Sequence, residues 1–329
     1  ADLGWLALPD EREAGSPARA FRNVAILMEE FGRGLLLEPF VSTAVLCAGL
    51  IDRAGPREAF DRMRDDIAAG RLRVALAHSE DGARWDLGEV RNTIAERHGT
   101  GYRISGSKIL AMGGPSAHTL VVSARLAGDS SGRFALFLID PGAPGVRMNH
   151  YRLIDYSRAS DVRLNEVHVP AEAMLTDADH AHAALEAAVD LAILAATAEA
   201  LGCMETVISL TAAHLRNREQ FGKPLGSFQA LQHRLADMFV EAQQARSILL
   251  QGIASLDEGG NATRAGVSAA KALAGRAGRF IGEQGVQLHG GIGVTEEAQV
   301  GHYYKKLVMY EKLFGDSHHH IERFSRYCG

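Results

Sequence analysis

Apolar positions along the chain follow three rhythms in succession. Through residues 1–70 the spacing is helical: Phe21–Phe31 repeats at three- and four-residue intervals, Leu35–Ile51 is apolar, and Pro9, Pro17, Pro39 and Pro56 punctuate. Through 71–175 the runs shorten and alternate, at Arg73–Ala77, Tyr102–Ile109, Leu120–Ala124, Ala135–Ile139 and Asp161–Val169. Gly-bearing turns separate them, at 99–101, 113–114 and 128–132, so this stretch reads as a small β-barrel or sandwich. Through 176–329 helical spacing returns over roughly 180–216, 227–258, 263–288 and 298–327. Ser227 and Thr263 stand as N-caps, and Gly259-Gly260 and Gly290-Gly291 as stop signals. The first of these helices would be on the order of 50 Å long at about 1.5 Å per residue. Four long helices with short links make an antiparallel bundle. The predicted fold class is α+β: an incomplete N-terminal helical domain over 1–70, a middle β domain over 71–175 and a C-terminal four-helix bundle over 176–329.

Composition narrows the function. The chain has 329 residues, 47% hydrophobic and 23% charged, an ordinary globular balance. Its net charge of −5, with no basic stripe, argues against nucleic-acid binding. Cys47, Cys203 and Cys328 have neither disulfide-framework nor zinc spacing, which points to a reducing cytoplasm. No membrane-spanning run free of charge and no secretory signal is expected. The chain opens abruptly, as if an earlier helical segment were missing.

Two strings carry the chemistry. Residues 216–238 read RNREQFGKPLGSFQALQHRLADM, and 287–297 read QLHGGIGVTEE. Together they offer a guanidinium, side-chain amides, an aromatic ring and bare backbone N–H groups at helix ends. Those are the parts that hold an adenosine diphosphate.

The helix–β–helix order with these two strings resembles the acyl-CoA dehydrogenase family across essentially the whole chain. The tail, Gly301-His302-Tyr303-Tyr304-Lys305-Lys306 followed by Leu313-Phe314-Gly315-Asp316, is closest to the small subunits of pimeloyl-CoA dehydrogenase-like enzymes. The resemblance implies FAD, an acyl-CoA thioester substrate, electron-transfer flavoprotein as electron acceptor, and a tetramer built from dimers. It implies that FAD spans a dimer interface: one subunit's β domain holds the isoalloxazine, while the neighbour's bundle clamps the pyrophosphate and adenosine.

The clamp half is intact. By the resemblance, Arg218 pairs with the pyrophosphate, Gln220 and Phe221 lie along the adenosine, and Gln229 and Gln232 line the same groove. Gln287 and the Gly290-Gly291 backbone approach the diphosphate, and Asp316 and His318 stand at adenosine contacts. The isoalloxazine half is degraded. Leu110 and Met112 replace a Trp and a Thr and read as ordinary barrel core; Ser79 keeps the hydroxyl of a flavin-bonding Thr, with Glu80 after it.

The catalytic base is missing. Its usual position, aligned on Gly315, is Phe314; the alternative on the first bundle helix is Ala192. Neither accepts a proton. Glu311 and Asp316 are the remaining carboxylates nearby, but a shift of two or three positions turns a side chain well away. A displacement of about 1 Å can cost on the order of a hundredfold in rate. His318-His319-His320 do not form a metal site, because consecutive helical residues point ~100° apart. His289 reads as structural, and Glu29-Glu30 as solvated charges.

The expected function is therefore FAD-dependent α,β-desaturation of an acyl-CoA. This chain would be the base-lacking small subunit of a heteromer whose partner carries the base. The alternatives are a homomeric flavoenzyme of this fold with a relocated base, and a non-catalytic structural subunit.

Overall fold

The structure, a computed structural model, describes residues 3–8, 15–55 and 57–328. Pro9 and Pro56, two of the four expected breaks, lie outside the described residues. The contacts divide the chain into two compact units: Ala1–Pro9 with Leu37–Ala192, and Asp10–Leu36 with Ile193–Gly329.

In the first unit a π-helical segment, Val41–Cys47, runs into α2 (Ala48–Arg53), and α3 (Glu58–Ala68) follows. Eight strands then form one mixed sheet: β1 (Val74–Ala77), β2 (Ile94–His98), β3 (Gly101–Met112), β4 (Thr119–Leu126), β5 (Phe134–Ile139), β6 (Val146–Arg152), β7 (Arg158–Pro170) and β8 (Met174–Thr176). The order is β6-β7-β3-β2-β4-β5-β8, with β1 parallel to β4. β1, β3, β4, β5 and β7 fall on the five apolar runs. β5 is nearly all apolar and buried on both faces, the pattern of an interior strand. Its Phe137 meets Tyr102 of β3 edge-on, ring centroids 5.1 Å apart, in the core of the sheet. Three strands escaped the sequence reading. β2 turns charged after Ile94-Ala95, and β6 is half-exposed or exposed throughout. β6 is a strand because β7 pairs with it over seven residues, from Val146↔Leu164 to Arg152↔Arg158.

The second unit holds α1 (Pro17–Arg33), all of α4 (Ala181–Asn217) beyond Ala192, α5 (Gln229–Ala254), α6 (Gly260–His289), α7 (Gln299–Lys312) and α8 (Ser317–Tyr327). Ser16 caps α1 by accepting from the Arg19 N–H, and Pro17 occupies its first position. Gly278, Gly282 and Gly285 make a bare stripe on α6. A Cβ there would meet Leu307, the Tyr304 ring or Val207 at 2.5–3.1 Å, so the neighbouring helices sit where only glycine allows. Glu29 is not a solvated charge. Arg246 of α5 donates to it and to Glu205 of α4, and Arg33 also pairs with Glu205, an ionic network across three helices.

Three boundaries differ from expectation. The stretch 298–327 is two helices, because Phe314 (φ 59°) and Gly315 (φ 114°) leave helical space. Ser227 does not cap α5: its hydroxyl donates to the Pro224 carbonyl, and Phe228 holds the cap position. Thr263 lies inside α6, its hydroxyl donating to the Ser255 carbonyl, while Gly259 is the cap. α4 is long and apolar enough to cross a membrane, but 78% of its most apolar stretch is buried within the protein.

Candidate functional site

The elbow after α4 is a two-residue hairpin. Arg218 continues the helix by one bond, its N–H donating to the His214 carbonyl at 2.8 Å. β9 (Glu219–Gln220) and β10 (Lys223–Pro224) then pair around Phe221-Gly222. Both turn residues are left-handed, at φ 56° and 76°, as the type I′ turn demands. Glycine takes this without cost; a phenylalanine there stores strain of roughly 1–3 kcal/mol. Phe221 is nonetheless 88% exposed, with the Phe228 ring edge-on to it at 6.1 Å.

Beside this hairpin lies a hollow of about 290 Å³. Arg218, Arg234, Gln287, Gly290 and two histidines, His214 and His289, line it. α6 brings Gln287 there in its last turn, and Gly290 ends the helix at φ 67°, ψ −146°, a conformation essentially reserved for glycine. A Cβ at Gly290 or Gly291 would meet nothing within 4 Å, so open space lies over both. No residue lining the hollow is acidic. Two guanidiniums, an amide and an open glycine backbone without a carboxylate suit a diphosphate, and in that respect the hollow fits FAD.

Arg218, Gln287 and Gly290 thus come together. Gln220, Phe221, Gln229, Gln232 and Gly291 do not line the hollow. Gln220 donates its amide to the Glu219 carbonyl, and Gln229 is exposed at the start of α5. Gln232 donates to the Gly226 carbonyl at 2.8 Å, so part of its hydrogen-bonding capacity braces the loop.

The turn 313–316 carries Phe314, where the resemblance leads one to expect a base. Phe314 is half-buried at φ 59°, and its carbonyl accepts from His320. Both neighbouring carboxylates serve the start of α8. Glu311 accepts from the Ser317 N–H at 3.1 Å and from the Ser317 hydroxyl at 3.0 Å. Asp316 is the N-cap, accepting from the His319 N–H at 3.0 Å and pairing with Lys312 at 3.3 Å. Burial opposes ionisation of Asp316, but those donors win and hold its pKa below the ordinary value. His318 is exposed and pairs with Glu322; His320 is buried. Among the described residues no cluster could hold a metal ion. Ala192, the other base position, is fully buried on α4.

In the first unit, Ser79 is half-buried and its carbonyl accepts from the Ile109 N–H at 2.8 Å. Glu80, beside it, accepts from the N–H groups of Arg91, Asn92 and Thr93, the Thr93 hydroxyl and the Lys108 ammonium. Burial works against the charge, yet these donors, Lys108 foremost, hold Glu80 at about 2. Leu110 and Met112 are not ordinary core. Leu110 is 37% exposed and left-handed at φ 56°, where the β3–β7 register shifts, and Met112 is half-buried. The bulge turns Leu110 outward.

Several residues of this architecture escaped the sequence reading. Lys108 shares the inward parity of Tyr102 and Ile104 along β3, and Lys271 interrupts an Ala/Gly-rich helix; a cation at a core position was the missed signal. His214 stands four positions before Arg218, on the same helix face.

Comparison with known proteins accounts for most of the chain. The family model "acyl-CoA dehydrogenase, middle domain" matches residues 75–167, and "acyl-CoA dehydrogenase, C-terminal domain" matches 182–327. The chain is 31% identical over 249 residues to cyclohexane-1-carbonyl-CoA dehydrogenase of Geobacter metallireducens, covering 75% of this chain and 65% of that one. It is 29% identical over 328 residues to acyl-CoA dehydrogenase FadE27 of Mycobacterium tuberculosis, covering 96% and 83%. Among solved structures it superposes on the ChsE4-ChsE5 complex from Mycobacterium tuberculosis with a TM-score of 0.86, at 26% identity, over 99% of this chain and 85% of that chain. The family uses FAD, and its enzymes are oxidoreductases acting on CH–CH bonds.

Proposed function

The chain belongs to the acyl-CoA dehydrogenase family, and we propose that within it this chain is the base-lacking subunit of a heteromeric enzyme, clamping FAD from across a subunit interface. One observation carries the reading. Phe314 and Ala192 have no proton acceptor, and the carboxylates of Glu311 and Asp316 are both engaged at the start of α8. The hollow at Arg218, Gln287 and Gly290 meanwhile gathers two guanidiniums, an amide and a glycine backbone, which supports the clamp reading.

Bound FAD supplies the hydride acceptor for oxidation of a Cα–Cβ bond. This chain's part is to hold it. Arg218 presents its fork to the pyrophosphate, with the Gln287 amide and the Gly290-Gly291 backbone beside it. Gln220, Phe221, Gln229 and Gln232 extend the groove toward the adenosine, with Phe221 offering a stacking face. Asp316 and His318, at the start of α8, would lie toward the adenosine, and the Ser79 hydroxyl would be a remaining flavin donor. The partner subunit supplies the base and most of the isoalloxazine pocket, and electron-transfer flavoprotein takes the electrons.

The substrate class is an acyl-CoA with a ring-bearing, dicarboxylic or otherwise unusual acyl group. The relative from Geobacter metallireducens, named for a cyclohexane ring, supports the ring-bearing form. The complex of two differently named chains from Mycobacterium tuberculosis supports a heteromer.

The test is co-expression with a base-bearing neighbour of the same family. The expected result is a complex with about one FAD per two chains and a dehydrogenase activity that neither chain shows alone. Full activity and about one FAD per chain from this protein by itself would sink the reading. A relocated base would then be sought by substituting Glu311 and Asp316.

A further inference from the structure

Two imidazoles stand in the hollow that the clamp reading assigns to the diphosphate. His214 on α4 and His289 on α6 stack with ring centroids 4.5 Å apart and planes at 26°. The Nδ1–H of His289 donates to the Gly285 carbonyl at 2.8 Å, which fixes its tautomer and leaves Nε2 as a bare lone pair in the neutral ring. Neither ring nitrogen of His214 has a hydrogen-bond partner among the described residues. The other titratable groups facing the pair from the walls of the hollow are Arg218 after α4 and Arg234 on α5; Arg234 donates to Gln284 at 2.7 Å. No carboxylate lines the hollow to neutralise them.

Such a set is unbalanced when empty of an anion. Burial, then the stacked His289, then Arg218 push His214 below the usual histidine range. His214 therefore resists protonation while the hollow is empty. A diphosphate reverses the sign of the local field, and a protonated imidazole becomes a further donor to it.

We propose that His214 and His289 are ligand-binding residues of this hollow, and that a diphosphate entering it brings one proton from solvent onto His214. This rests on the clamp reading and goes beyond it, because it makes occupancy depend on pH. By linkage, affinity is then highest where His214 accepts the proton and falls as pH rises above that range.

The experiment is isothermal calorimetry on the full chain with ADP-ribose. Its diphosphate is a diester and does not titrate near neutrality. Titrations at pH 6.5 in two non-phosphate buffers of different ionisation heat count the protons taken up. The expected result is an uptake of about 0.5–1 proton per ADP-ribose, and a Kd rising at least about threefold between pH 6 and pH 8. His214→Gln keeps a polar side chain and should cut the uptake by more than about half. Normal binding without uptake, or uptake unchanged in both His214→Gln and the His214→Gln/His289→Gln double variant, would overturn the proposal. If binding is lost in Arg218→Ala yet wild type takes up no proton, the clamp stands and the histidine role falls. If wild type does not bind ADP-ribose at all, the histidine proposal falls, and the flavin content of the co-expressed complex decides the clamp separately.

Discussion

The ammonium of Lys271, fully buried on α6, donates to the carbonyl of Gly315 at 2.7 Å. It also reaches the Glu311 carbonyl at 3.2 Å and lies 4.5 Å from the centroid of the Tyr310 ring. One cation thereby holds the turn 311–315 that carries Phe314, using carbonyls and an aromatic face in place of a direct carboxylate contact. Burial, foremost, lowers its pKa to about 8. These contacts tie the turn that carries Phe314 to α6.

Lys271→Met should therefore destabilise the protein by about 1–3 kcal/mol, since the buried Gly315 carbonyl and the part-buried Glu311 carbonyl lose this donor. Chemical denaturation should show it as a lower midpoint with an unchanged slope.

The two glycines of the α6 terminus should separate stability from binding. Gly290→Ala forces a side chain into φ 67°, ψ −146°, at a cost of about 1–3 kcal/mol. Gly291 has no such backbone demand and nothing within 4 Å of a Cβ. Gly291→Ala should leave the melting temperature unchanged and lower the FAD content of the purified complex. Equal losses of stability in both variants would contradict the assignment of open space to a ligand.

Arg218→Ala should weaken FAD retention roughly tenfold to a hundredfold, the worth of about 1.5–3 kcal/mol for hydrogen bonds from a charged donor. Dialysis against ADP-ribose, followed by the flavin spectrum, reads this directly. Arg218→Lys should restore only part of the loss, because an ammonium lacks the fork.

Acid should destabilise each unit through one buried histidine. Burial holds His78 and His320 at about 3 against an ordinary 6.5, and each leaves one buried ring nitrogen without a partner. A depressed histidine pKa means the unfolded chain binds more protons, so stability is full above pH 6.5 and falls as pH drops toward 3. The slope is on the order of 1 kcal/mol per pH unit for each ring. Melting curves from pH 7 to pH 5 should shift downward, and His320→Asn should flatten the shift if it keeps the fold.

The sequence by itself determined what is repeated or composed locally. Apolar rhythm located five strands and the long helices, because periods of 2 and 3.6 residues are written in consecutive positions. Ordered motifs brought Arg218, Gln287 and Gly290 to notice, and the resemblance drew attention to Phe314 and Ala192. The tertiary structure decided what depends on partners distant in the chain. β6 is a strand because β7 pairs with it. Glu311 and Asp316 are engaged because α8 begins beside them, and Leu110 turns outward because a bulge falls between Lys108 and Ala111. His214 and His289 are 75 positions apart, and only the packing of α4 against α6 stacks them. Local propensity fixes a residue's element; its chemical environment is set by whichever element folds against it, and no window along the chain contains that neighbour.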